Sequence, residues 1–113
     1  AVFHGMLRYP EKTVILIGEA EVMALVPPGR PLRLGLWPGA LVSLFPLRPA
    51  RGVASSGLAW PIEGLEMEVG SQIGTSNEAI SGPVSLTFDR AGVLLMLERR
   101  ALGSLVGALT GER

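Results

Sequence analysis

Leu65-Glu66-Met67-Glu68-Val69, then Gly70-Ser71-Gln72-Ile73-Gly74-Thr75-Ser76-Asn77-Glu78, then Val84-Ser85-Leu86-Thr87-Phe88: this passage decides how the chain is read. Its first and last segments alternate apolar with polar residues, so each shows one face to a core and the other to solvent, the pattern of a β-strand. Fourteen residues, 70–83, separate them. Hairpin loops are usually far shorter, and this one gathers Gly, Ser, Thr and Asn. Two readings stand side by side. Such residues build corners, because their side chains bond nearby backbone and Gly tolerates positive φ; they also build binding loops.

Outward from this passage the strand signal recurs every 8 to 12 residues, the spacing of a sandwich or barrel. Residues 13–17 are β-branched and apolar on both faces, as in a buried strand. Residues 21–26 repeat the pattern after Gly18-Glu19, which predicts a hairpin. A short strand is expected over 32–36, a turn at Trp37-Pro38-Gly39 and a strand over 40–45 closed by Pro46. Residues 51–60 are extended in character, but Val53 falls on the odd face and Leu58 and Trp60 on the even one, so a bulge is expected near Ser56-Gly57. Asp89-Arg90-Ala91-Gly92 reads as a four-residue hairpin loop between strands 84–88 and 93–98.

The two ends break the rhythm. Val2, Phe3, Met6, Leu7 and Tyr9 have near-helical spacing before Pro10. Leu102, Leu105, Val106 and Leu109 fall at i, i+3, i+4 and i+7, one face of a helix, which three glycines weaken by about 1 kcal/mol each relative to Ala. The expected fold is therefore all-β, a jelly-roll-like β-sandwich over residues 11–98. Residues 1–10 would be the end of a preceding domain and residues 99–113 a tail with a short helix.

Composition limits the function. One domain of 113 residues is large enough to bury a core without disulfides or metal. Apolar residues make up 48% and charged residues 18%, with a mean hydropathy of +0.41; this excludes disorder and leads us to expect a surface covered by a partner. Ten basic and ten acidic residues cancel, leaving no field to draw nucleic acid or an acidic membrane. No apolar run approaches the roughly 20 residues of a membrane-spanning helix. Cysteine is absent, so a cytoplasmic location is the expectation. Ala1-Val2-Phe3-His4 carries neither an initiator Met nor a secretory pattern, as in a piece of something longer.

Chemistry-bearing residues are few: one His, one Lys, one Asp. A Ser-His-Asp arrangement would need His4 and Asp89 from opposite ends of the chain. Asp89 has no acidic neighbour within eight residues to help hold a hard cation. Glu66 and Glu68 share the polar face of their strand and read as solvated surface. Lys12 follows Pro-Glu and no phosphate-binding loop occurs. No catalytic residue and no metal ligand is therefore assigned. What remains is a binding surface, Trp60 with Thr75-Ser76-Asn77-Glu78, suited to a small, flat, partly cationic ligand through stacking, cation–π attraction and hydrogen bonds. Trp60 could equally be a core aromatic of the sandwich.

Gly57-Leu58-Ala59-Trp60-Pro61-Ile62, Leu65, Gly70, Gly74-Thr75-Ser76-Asn77-Glu78 and Gly92-Val93-Leu94-Leu95-Met96-Leu97, in that order, resemble the C-terminal domain of the thiamine pyrophosphokinase (thiamin diphosphokinase) family. Val14-Ile15-Leu16-Ile17-Gly18, Val26-Pro27-Pro28-Gly29 and Val42-Ser43-Leu44-Phe45-Pro46-Leu47 extend the likeness, which covers about residues 13–97. The resemblance implies a β-sandwich that binds thiamine within a homodimeric enzyme transferring diphosphate from ATP to thiamine, with release of AMP. It implies that Mg²⁺ and ATP belong to a kinase domain that this chain lacks, so that the chain alone should be inactive. By motif position Ser76 and Asn77 would contact the aminopyrimidine, Thr75 would shape the turn and Trp60 would match an aromatic position. Two rivals stand against this: a dimerisation module without a ligand, in which Thr75-Ser76-Asn77 is only a turn, and a sugar-binding jelly roll served by Trp60.

Overall fold

A computed structural model describes residues 2–9, 12–69 and 75–111, apart from the side chains of Val2, His4 and Thr75. Helix α1 (Val2–Arg8) leads into nine strands: β1 (Ile15–Ile17), β2 (Glu21–Leu25), β3 (Leu32–Leu34), β4 (Leu41–Pro46), β5 (Ala50–Ser56), β6 (Glu66–Met67), β7 (Thr75–Glu78), β8 (Val84–Phe88) and β9 (Val93–Glu98). A 3-10 turn (Arg99–Ala101) and helix α2 (Leu102–Thr110) follow. The strands form two antiparallel sheets, one ordered β1-β2-β9-β4-β7 and the other β3-β8-β5-β6. The fold is an all-β sandwich with a short helix at each end, as the periodicities predict.

Alternation builds the interior. In the five-stranded sheet the register aligns Val22, Leu97, Val42 and Asn77 in one inward row and Ala24, Leu95 and Leu44 in the next. The four-stranded sheet answers with Leu32, Leu34, Val84, Leu86 and Phe88, and all of these apolar side chains are buried. One end is closed by α2, where Leu105 and Leu109 join the core and Ser104 Oγ donates to the Gly35 carbonyl at 2.6 Å. Arg100 lies 3.8 Å over the ring of Trp37 and holds the 3-10 turn against the loop before β4. Among the described residues no buried side-chain nitrogen or oxygen lacks a partner.

Four expectations need correction. Residues 13–17 do not form a buried strand: β1 covers Ile15–Ile17 at the edge of the five-stranded sheet, and Ile17 is 56% exposed. Residues 89–92 do not close a hairpin, because β8 and β9 lie in different sheets; the segment carries the chain across the sandwich. Gly92 suits it, with φ 132° and an added Cβ only 2.6 Å from Arg48 Cβ. The bulge in β5 falls between Gly52 and Ala54, earlier than expected. There Val53 swings outward, while Gly52 meets the carbonyl of Ile62 so closely that a Cβ would sit 1.9 Å from it. The polar connection is also not all loop: Thr75–Glu78 is a strand at the edge of the five-stranded sheet. Alternation there is hidden because its inward residue, Asn77, is polar. Residues 70–74 lie outside the described residues.

Candidate functional site

Among the described strands β7 pairs with β4 alone, through Leu41↔Glu78, Val42↔Asn77, Ser43↔Ser76 and Leu44↔Thr75. Its other edge is covered by the chain that leaves β5. At Gly57 (φ 76°) that chain turns out of the four-stranded sheet, and a Cβ there would meet the Pro83 carbonyl at 2.7 Å. It then runs antiparallel to β7: Leu58 bridges Ala79, Ala59 N donates to Glu78 O at 2.9 Å and Ile80 N to Gly57 O at 2.8 Å.

At Trp60 backbone pairing gives way to a side chain. Asn77 Oδ1 accepts from Trp60 N at 3.1 Å and from Glu78 N at 2.9 Å, and Asn77 Nδ2 donates to Trp60 O at 2.7 Å. The amide, 2% exposed, stands in for the peptide group that a continuing strand would offer. Three of its four hydrogen-bonding positions are thereby occupied, and one Nδ2 proton remains. The clamp fixes the backbone of Trp60 while its side chain stays 60% exposed, so the core alternative for Trp60 is corrected. Pro61, next in sequence, has no N–H to donate.

The four residues singled out from the sequence are thus close in the fold but do not share one face. Asn77 and Trp60 are joined directly; Ser76 projects to the outer face of the sheet and is exposed; Thr75 is placed by its backbone pairing with Leu44. Sequence reasoning missed two features. One is that Asn77 binds backbone; the other is that Glu78 and Leu41 flank Ser76 on the outer face, which reading residues 75–78 as a strand would have revealed. Beside the clamp, Ser55 Oγ accepts from Ile62 N at 3.1 Å and donates to Glu63, tying the next turn to β5. That hydroxyl, with the backbone amides of Glu63 and Ile62, holds the Glu63 carboxyl below the ordinary carboxylate range.

Among the described residues two hollows lie away from Trp60: one of about 270 Å³ between Met6, Leu25, Pro28 and Leu109, and one of about 290 Å³ beside Arg51, Met67 and Asp89. Among the described residues no three His, Asp or Glu side chains gather to hold a metal ion. No described helix is long and apolar enough to cross a membrane.

Residues 32–93, more than half of the chain and including both Trp60 and Asn77, match the family described as thiamin pyrophosphokinase, vitamin B1 binding domain. The chain belongs to that family. Solved structures agree in fold. A thiamin pyrophosphokinase from Geobacillus thermodenitrificans superposes with a TM-score of 0.68 at 20% identity, over 86% of this chain and 46% of that one. The Bacillus subtilis thiamine pyrophosphokinase gives 0.65 at 19%, over 86% and 45%. A thiamin pyrophosphokinase family protein from Enterococcus faecalis gives 0.59 at 18%, over 85% and 42%. This vitamin B1 binding domain spans about half the length of the structures it matches. No curated protein matches it.

Proposed function

We propose that this chain is the thiamine-binding part of a thiamine diphosphokinase, a cytoplasmic homodimer that moves diphosphate from ATP to the hydroxyl of thiamine and releases AMP. The observation that carries this reading is the family match over residues 32–93. The geometry supports it: a buried amide fixes the backbone of an exposed Trp60, whose ring can stack on a flat heteroaromatic ring, and a backbone fixed beforehand lowers the entropic cost of binding.

In this reading Trp60 and Ser76 contact the aminopyrimidine. Asn77 positions Trp60 and offers its remaining amide proton, and Thr75 shapes the entry to β7. ATP and Mg²⁺ would be held by a kinase domain outside this chain, since the described residues gather no carboxylate cluster for them. The domain division at residues 10 and 98 belongs to the same proposal, as does inactivity of the chain by itself. Its own part would be positional, holding thiamine so that the hydroxyl meets the phosphorus of a bound nucleotide. The exposure of the Trp60 side chain, 60%, fits a pocket completed from another domain or subunit.

A titration of thiamine followed through the Trp60 indole and the amides of residues 75–78 tests the reading. Shifts confined to these groups are expected, and Asn77→Ala should weaken binding several-fold. Silence both in this chain and in one extended to the length of the matched enzymes overturns it. The rival dimerisation module draws on one observation, the apolar outer face of the five-stranded sheet. It predicts dimers in light scattering together with that silence.

A further inference from the structure

The same strand carries a charge that the thiamine reading has not used. Glu78 follows the inward Asn77, so its side chain shares the outer face of β7 with Ser76. Its backbone is held on three sides: its N–H bonds Asn77 Oδ1, its carbonyl accepts from Ala59 N, and it sits in register with Leu41. The residue is half-buried, and its carboxylate has no hydrogen bond or ion pair among the described residues. Of the other two glutamates on the five strands, Glu98 is occupied, accepting from Leu41 N at 3.1 Å, and Glu21 lies three strands away, about 14 Å at the usual strand spacing. None of the five strands contains Lys or Arg, so nothing on this sheet neutralises Glu78. Opposite it, Leu41 is 55% exposed and offers an apolar wall that strengthens a nearby charge interaction.

We propose that Glu78 is the charge-selecting residue of the thiamine site, its carboxylate facing the positive ring of the ligand. This rests on the thiamine reading above. Thiamine joins a neutral aminopyrimidine to a cationic thiazolium through one methylene. A pyrimidine held at Ser76 and Trp60 therefore leaves the cation within reach of a carboxylate two residues, about 7 Å, farther along the strand. The carboxylate and the exposed indole then act on opposite aspects of the ligand, the first on its charge and the second on its flat face.

Two ligands separate charge from shape: thiamine, and the neutral 4-amino-5-hydroxymethyl-2-methylpyrimidine that lacks the thiazolium. In the titrations described above, Glu78→Gln should weaken thiamine by about three- to tenfold and leave the neutral pyrimidine within about twofold. Glu21→Gln, the same charge change on the same face but far from the site, should leave both affinities unchanged. Salt should weaken thiamine binding in the wild type more than in Glu78→Gln. Equal loss of both ligands in Glu78→Gln, or no loss of thiamine, overturns the assignment while leaving the thiamine reading intact. If the wild type takes up neither ligand in either length of chain, both fall.

Discussion

The two sheets share one interior, but their outer faces are opposites. On the five-stranded sheet one outer row runs Leu16, Met23, Met96, Ser43, Ser76 and the next Leu25, Leu94, Phe45, with glutamates at one end and no basic residue. On the four-stranded sheet the outer positions are Arg33, Ser85 and Ser56 in one row and Ala54 beside Thr87, itself only 8% exposed, in another. Strand β9 makes the contrast within a single element: Leu95 is fully buried in the core, yet Leu94, on the outer face, is only 3% exposed. Leu94 is buried outside the core cluster, which points to a second apolar layer on that face. Small polar residues suit a face left to water, whereas a sheet face rich in Met and Leu is a surface suited to being covered. The candidate site lies where that apolar face meets the edge strand β7.

The largest effects should separate the inner from the outer layer of β9. Leu95→Ala should cost about 2–5 kcal/mol of unfolding free energy in urea, the range for emptying a core position. Leu94→Ala should cost less, because its surroundings can collapse from the solvent side, but still more than the roughly 0.5 kcal/mol typical of exposed positions. A Leu94→Ala protein as stable as wild type would remove the second layer from the comparison. A smaller effect sharpens the contrast between the faces: Met96→Lys and Ser85→Lys should each change stability little, yet only Met96→Lys should reduce binding of a hydrophobic dye such as ANS. Equal dye binding by both would mean that the two faces present the same surface.

The smallest effect lies at the turn beside the clamp. The pKa of Glu63 is lowered in the folded chain, first by the Ser55 hydroxyl. Its contribution is therefore complete above the unfolded carboxylate range and lost as pH falls through the folded value. Glu63→Gln should flatten that limb of the stability profile and leave neutral to basic pH behaviour parallel to wild type. An unchanged acid limb would show that the hydroxyl does not hold the carboxylate in solution.

Much of the fold was legible. Residues 21–26, 84–88 and 93–98 alternate or are apolar throughout because one or both faces are buried, and the i, i+3, i+4, i+7 pattern of the tail located α2. Residues 75–78 were harder, because a strand with a polar inward residue has no apolar alternation to read. The candidate site was legible as a composition and as a family motif, not as a geometry: neither tells that Asn77 would spend its amide on the backbone of Trp60.

The sequence by itself determined the class of fold, the family, the poverty of catalytic groups and the choice of Trp60 and residues 75–78, since these depend on residue type and local period. Only the tertiary structure decided that β8 and β9 part into different sheets, that the bulge falls at Val53, that Trp60 faces outward and that Ser76 and Glu78 share a face away from Asn77. Those outcomes depend on contacts between residues far apart in the chain. Gly52 against Ile62 and Asn77 against Trp60 are such contacts, and no local pattern encodes them.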